Sequence, residues 1–141
     1  MKMKILVAAL SLVIATFASN AADKVDLSKL PPAAAKKGVT FDGDIKPIFE
    51  KSCFKCHGPA ADVEKPKGKL RVDTLQATLK GGENGPNVVA GDISKSTLLH
   101  QVAHLVDEDD WMPPKDNKAK IPPLTNDQVG LIRAWIEQGA K

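Results

Sequence analysis

The chain has 141 residues, of which 43% are hydrophobic and 26% are charged, and its formal net charge is +3. These values are typical of one globular domain and argue against a disordered chain. Without Lys2 and Lys4, the 20 basic residues fall to 18 against 17 acidic ones, so the composition predicts no polycationic surface for nucleic acid.

The N-terminus has the pattern of an export signal. Lys2 and Lys4 precede an apolar stretch over 5–18, and small residues follow at 19–22. We therefore predict a cleavable Sec-type signal peptide over 1–22 and a periplasmic or otherwise exported product. The alternative is an uncleaved membrane anchor, which needs about 18 or more apolar residues. The apolar stretch is shorter, so we expect no membrane span after signal removal.

The next segment, 23–40, is rich in Ala, Lys and Pro and has no sustained apolar period. It predicts a flexible tether, followed by a folded domain over 41–141. This domain is poor in aromatic residues and has no tyrosine. A core of this kind would gain stability from a bound apolar cofactor.

Two helices are predicted in the first half of the domain. The first begins with Asp44 as its N-cap, has Pro47 in its first turn and leads to Cys53. A short second helix is predicted over 74–80, with Asp73 or Thr74 as its N-cap and Gly81 and Gly82 ending it.

The third predicted helix starts near Ser94 or Ser96 and ends before Asp107. His100 and His104 project to the side opposite its apolar arc at 100° per residue, so we expect both imidazoles to face solvent. The arc contains Leu98, Val102, Leu105 and Val106.

The fourth helix has the clearest boundaries. Thr125 and Gln128 form a capping box, and Gly139 stands where a C-terminal glycine belongs. Its predicted buried side contains Leu131, Ile132, Trp135 and Ile136. Pro- and Gly-rich loops separate the helices, and no stretch alternates like a strand. The fold class that follows is all-α with long loops around a cofactor.

Cys53 and Cys56, followed at once by His57, form a C-x-x-C-H motif, which is typical of c-type haem attachment. Each thiol adds to one vinyl group to give a thioether, and the imidazole of His57 then ligates the iron. The motif therefore predicts one haem c, held through two thioethers. The alternatives are a thioredoxin-like pair, half a zinc site and a structural disulfide; the first lacks a βαβ context and the second lacks thiolates.

Met112 is the candidate for the sixth iron ligand, because methionine commonly faces histidine in cytochromes c. Met1 and Met3 belong to the predicted signal peptide, and two prolines follow Met112. The alternatives are a packed loop methionine and a bis-histidine haem that uses His100 or His104.

Other candidates lie around the motif. The carbonyl of Pro86 is a candidate acceptor for the other ring nitrogen of His57. Arg71 and Trp111 are candidate contacts for haem propionates. Exposed lysines near an open haem edge would steer an acidic partner, although they are equally typical of a solvated surface. They are Lys55, Lys65, Lys67, Lys69, Lys115, Lys118 and Lys120.

Several separated motifs in the same order resemble class I cytochrome c, and more closely the planctomycete-type cytochrome c domain. The resemblance covers about 41–141 and includes 44–49 (D-I-K-P-I-F), 53–58 (C-F-K-C-H-G), 69–74 (K-L-R-V-D-T), 81–86 (G-G-E-N-G-P), 112–114 (M-P-P), 124–125 (L-T) and 132–136 (I-R-A-W-I). It implies a cytochrome c-like helical fold, with the first and last helices crossing beside the haem. It also implies His57 and Met112 as axial ligands.

The function expected from the sequence is electron transfer by a monomeric mono-haem carrier, not an enzyme, with a protein redox donor and a protein acceptor. Two alternatives have the sixth position open to peroxide or a diatomic gas, as an enzyme or as a ligand sensor. Others are an accessory subunit of an oxidoreductase and an interaction module in which haem is structural. A coordinating Met112 favours the carrier, because it occupies the position that a substrate needs.

Overall fold

The computed structural model describes residues 25–141, and the predicted signal peptide lies outside this range. Within it the chain is helical and forms no strand beyond one isolated bridge between Gly82 and Gly85, so the predicted all-α class is confirmed. The helices are α1 (Lys46–Ser52), α2 (Phe54–His57), α3 (Leu75–Lys80), α4 (Thr97–Val102) and α5 (Asn126–Glu137). A π-helical turn, Phe41–Ile45, leads into α1, and 3₁₀ turns form at Leu27–Lys29, Lys67–Lys69 and Glu108–Asp110. None of the helices in 25–141 has the length and apolarity that a membrane crossing requires.

The first helical segment begins earlier than predicted. Thr40 is the N-cap, since its hydroxyl accepts the backbone N–H of Gly43 at 3.3 Å. Asp44 lies inside the first turn, and its carboxylate accepts the Thr40 N–H at 3.0 Å. The assignment of Asp44 as N-cap was therefore wrong: it returns a bond to the cap from within the turn, as the partner residue of a capping box does. Pro47 lies in the first turn of α1, as predicted.

The core is built where the first and last helices meet. Phe41 packs on Trp135 of α5 with a ring separation of 5.9 Å, and edge-on against Phe49 of α1 at 6.1 Å. The carbonyl of Lys141 accepts both the Phe41 N–H, at 2.8 Å, and the Trp135 indole N–H, at 3.1 Å. Both chain ends of the domain are thus anchored at one point, and the three rings are almost completely buried.

Residues 25–40 pack against α5 and do not form the free tether that the composition predicted. Leu30 and Val39 are buried in the core. The Ala34 N–H donates to the Gly130 carbonyl at 3.0 Å, and Arg133 donates to the Pro31 carbonyl at 3.0 Å. The sequence did not reveal this packing, because a proline-containing extended segment can lie along a helix without showing the apolar periodicity of a helix.

The third helix is shorter than predicted and ends at Val102. His104 adopts a left-handed backbone conformation with φ +56°, which no α-helix continues. The expectation that both imidazoles face solvent was wrong. His100 is buried, with Nε2 2.7 Å from the Ile93 carbonyl, because the loop before α4 folds over its polar side. His104 lies beyond the helix, where the 100° projection no longer applies.

The remaining helix ends agree with the sequence. Thr74 caps α3, and Gly81 follows it with φ +78°. Thr125 and Gln128 form both bonds of the capping box, and Gly139 follows α5 with φ +101°. On α5, Ile132, Trp135 and Ile136 are buried, and Leu131 is half-buried.

We predict that Gly130→Ala destabilises the protein. A Cβ at this position would lie 2.5 Å from the Pro32 carbonyl oxygen, so the 25–40 segment would have to shift away from α5. Overpacking of this kind costs about 1–3 kcal/mol of unfolding free energy, more than alanine gains in helix propensity. Denaturant unfolding of the haem-loaded protein measures the loss. Asp127→Ala, an exposed change in the same helix, is the control; equal stability of Gly130→Ala and wild type would contradict the packing.

Asp44 predicts a pH-dependent contribution to stability. Two hydrogen bonds lower the pKa of this carboxyl below its ordinary value of 3.8: the larger effect comes from the Lys36 ammonium and the smaller from the Thr40 N–H. A lowered folded-state pKa stabilises the fold above the unfolded pKa, and this contribution disappears as pH falls through the folded pKa. We therefore expect Asp44→Asn to melt below wild type at pH 7 and to approach it below about pH 3.8. Asp42→Asn, on the same turn, is the control, and a difference in melting temperature that does not change with pH would refute the mechanism.

Candidate functional site

The two cysteines lie on either side of the start of α2. Cys53 is its N-cap and Cys56 is in its only turn, so the three-residue offset places the thiols about one helical turn apart. Both are free thiols; Cys56 is exposed and Cys53 is half-buried. Burial is the main cause that raises the pKa of Cys53 to about 12, and electrostatic repulsion from the neighbouring Cys56 is the second cause. In the structure the two thiols are not joined to each other.

His57 ends α2 and is oriented by a backbone acceptor. Its Nδ1 lies 3.1 Å from the Leu70 carbonyl. A carbonyl only accepts, so this contact assigns the proton to Nδ1 and leaves Nε2 as the nitrogen that can bind a metal. Burial lowers the pKa of His57, and hydrogen bonds to the Leu70 and Lys67 backbone oppose this effect only in part. The lowered pKa favours the neutral imidazole that a metal requires. The Pro86 carbonyl was the wrong acceptor.

Residues 70–72, which we call the His57 strap, hold this turn from one side. The Val72 N–H donates to the His57 carbonyl at 2.9 Å. Arg71 donates to the Gly58 carbonyl at 2.6 Å and to the Glu64 carbonyl at 3.2 Å. Its guanidinium therefore closes the loop that follows the motif, which differs from the propionate contact considered from the sequence.

Met112 lies in a different part of the chain, in the loop after α4. Its backbone N–H donates to the Gln101 carbonyl at 3.2 Å, and its side chain is half-buried against the core. Pro113, which follows it, is buried. The structure thus groups Cys53, Cys56 and His57 on one turn and places Met112 on a separate, anchored loop.

Trp111 and His104 form a pair that the sequence did not indicate. Their rings stack with centroids 4.2 Å apart and an angle of 3° between planes. The Trp111 indole N–H donates to the Val106 carbonyl at 2.9 Å, so its one donor is already used inside the protein. The expectation that Trp111 contacts a propionate has no support in this geometry.

The residues of the site fit a c-type haem. Two reduced thiols one turn apart lie beside an imidazole with Nε2 available, which is the donor set that covalent attachment requires. Phe54, Leu70 and Met112 remain half-buried at the edge of the core, where an apolar group could cover them. A zinc site needs about four ligands. No group of three or more His, Cys, Asp or Glu residues that could hold a metal occurs in 25–141.

Comparison with known families agrees with the donor set. Residues 53–116 match a family model described as planctomycete cytochrome C. The matched range contains both cysteines, His57 and Met112 and ends before α5. No curated protein and no solved structure matches the chain.

The His57 strap predicts a stability role for Arg71. Arg71→Met keeps an apolar side chain of similar length but removes the donors to Gly58 and Glu64, which should lower the unfolding free energy by about 1–3 kcal/mol. The unfolding free energy of Arg71→Lys should lie between those of Arg71→Met and wild type, because an ammonium group cannot donate to both carbonyls as the planar guanidinium does. Urea unfolding of the haem-loaded protein measures both. Lys67→Met, an exposed change on the adjacent 3₁₀ turn, is the control, and an unfolding midpoint of Arg71→Met equal to wild type would exclude the role.

Proposed function

We propose that the chain is an exported mono-haem electron carrier with His57 and Met112 as iron ligands, a function supported by the match of residues 53–116 to the planctomycete cytochrome C family model. The observation that carries the proposal is the turn 53–57, where two free thiols accompany an imidazole whose Nδ1 is held by the Leu70 carbonyl. This arrangement leaves one nitrogen, Nε2, for the iron.

Cys53 and Cys56 hold the cofactor. In each attachment the sulfur would bond to one vinyl carbon and the thiol proton would pass to the other, so the addition would need no external oxidant. The exposed Cys56 and the half-buried Cys53 would secure the two sides of one haem. Haem c, when bound, supplies a one-electron centre whose iron alternates between the ferric and ferrous states.

His57 would bind the haem iron through an imidazole held in a fixed orientation. The Leu70 carbonyl accepts from Nδ1 and so increases the electron density that Nε2 offers to the iron. The bonds from Val72 and Arg71 fix the backbone on which the imidazole stands. A constrained ligand of this kind suits electron transfer, because the geometry need not change between oxidation states.

Met112 is proposed as the sixth ligand. It is the one methionine within 25–141, and its loop is anchored through the Gln101 carbonyl. A thioether is a soft ligand that raises the reduction potential of the iron. It also closes the position that peroxide or a diatomic gas would need, which favours a carrier over an enzyme or a sensor.

The partners are proposed to be acidic redox proteins. Lys55, Lys67 and Lys69 are exposed close to the exposed Cys56, on α2 and on the 3₁₀ turn that contacts it. Positive charge around the edge of a cofactor accelerates association with an acidic partner at low ionic strength. The carrier is proposed to act as a monomer outside the cytoplasm, where the export signal predicted over 1–22 would deliver it.

The test is spectroscopic and uses the chain expressed with haem-maturation machinery. We expect one covalently bound haem per chain, a low-spin ferric spectrum with the sulfur-to-iron charge-transfer band, and a reversible one-electron titration. Met112→Ala should lose the band, become high-spin and titrate at a lower potential, because the thioether stabilises ferrous iron. Leu131→Ala, which also truncates a half-buried side chain but lies on α5, outside the loop that carries Met112, is the control and should keep the band.

Three results would count against the proposal. A wild type that is already high-spin and binds carbon monoxide readily would favour the alternatives with an open sixth position. Covalent haem retained by the double variant Cys53→Ala and Cys56→Ala would exclude attachment through these thiols. A protein without an accessible redox transition would instead indicate a structural haem.

A further inference from the structure

The loop before Met112 is closed at its base by a single acceptor. The Gln101 carbonyl accepts the N–H of His104 and the N–H of Met112, both at 3.2 Å. Residues 103–111, which we call the Trp111 loop, therefore leave α4 and return to the same point. Met112 emerges from this base, so the packing inside the loop determines how its backbone is held.

His104 is held in a costly conformation within this loop. Its φ of +56° is unfavourable for a residue with a side chain, and its Nε2 is buried without a hydrogen-bond partner. Such features persist only where the surrounding structure maintains them, and they concentrate at functional sites. The surrounding structure here is the face of Trp111, on which the imidazole lies almost parallel at 4.2 Å.

Trp111 transmits this constraint to Met112. Its ring is fixed on one side by His104 and at its edge by the bond to the Val106 carbonyl. The next residue but one, Pro113, is buried, and a proline restricts the backbone of the residue before it. Met112 therefore stands between a fixed indole and a fixed pyrrolidine ring.

We propose that His104 and Trp111 are positioning residues that hold Met112 in place to ligate the iron. The inference rests on the proposed His57 and Met112 ligation. It goes beyond that proposal because it states that the stack of His104 on Trp111 makes the bond between the iron and the Met112 sulfur harder to break. Neither ring is proposed to touch the iron. A loop without the stack would leave Met112 free to dissociate, and an external ligand would compete more easily for the sixth position.

The experiment is a titration of the ferric holoprotein with imidazole, which displaces a methionine ligand. His104→Asn tolerates a positive φ but removes the ring, and Trp111→Leu removes the indole. Because aromatic pairs contribute modestly to stability, each variant should bind imidazole about three- to tenfold more tightly than wild type. Each should also show a weaker charge-transfer band.

Three further variants separate positioning from folding. Trp111→Phe and His104→Phe keep an aromatic pair, so their imidazole affinity should stay closer to wild type than that of Trp111→Leu or His104→Asn. Lys120→Asn changes an exposed residue that also has a positive φ, 52°, and should bind imidazole as wild type does. Thermal melting of every holoprotein reports the effect on the fold alone.

The outcomes are distinct. If His104→Asn and Trp111→Leu melt at lower temperature while their imidazole affinity stays at the wild-type value, the stack only stabilises the loop and the inference is overturned. In that case Met112→Ala still binds imidazole more tightly than wild type, and the proposed ligation stands. If Met112→Ala binds imidazole no more tightly than wild type, Met112 is not a ligand, and both the ligation and the positioning role are refuted.

Discussion

The hydrogen bond from His57 Nδ1 to the Leu70 carbonyl is the constraint on which the candidate site depends. It assigns the ring nitrogen that remains for a metal and fixes the ring on a helix of only four residues. So short a helix has little stability of its own. The backbone bond from Val72 and the side-chain bonds from Arg71 supply the restraint that α2 lacks.

The rest of the fold supports this turn from a distance. The aromatic contact between Phe41 and Trp135 joins the first helical segment to α5, and α1 leads from that contact directly to Cys53. Residues 25–40 lie along the other side of α5 through Ala34 and Arg133. The core is small but continuous, so the half-buried apolar side chains at its edge form a surface that a planar apolar cofactor would extend.

The two proposed ligands are held by different means. His57 is fixed by the hydrogen bond of its ring to the carbonyl of Leu70, 13 residues away, whereas Met112 follows a loop whose interior is an aromatic stack. Amide hydrogen bonds are directional and fix orientation closely. Stacked rings restrain mainly through packing and slide more readily. This difference predicts that Met112 is the more easily exchanged of the two proposed ligands.

The sequence by itself determined the helical class and the capping box of α5, and it predicted haem attachment at Cys53, Cys56 and His57, because each depends on residues a few positions apart. Only the tertiary structure decided the partner of His57, the burial of His100 and the stack of His104 on Trp111. These depend on loops that fold back across the chain, and no local period records them. For the same reason a stretch that composition predicted as a tether became part of the core: burial of Leu30 and Val39 follows from where α5 lies, and not from their neighbours in the chain.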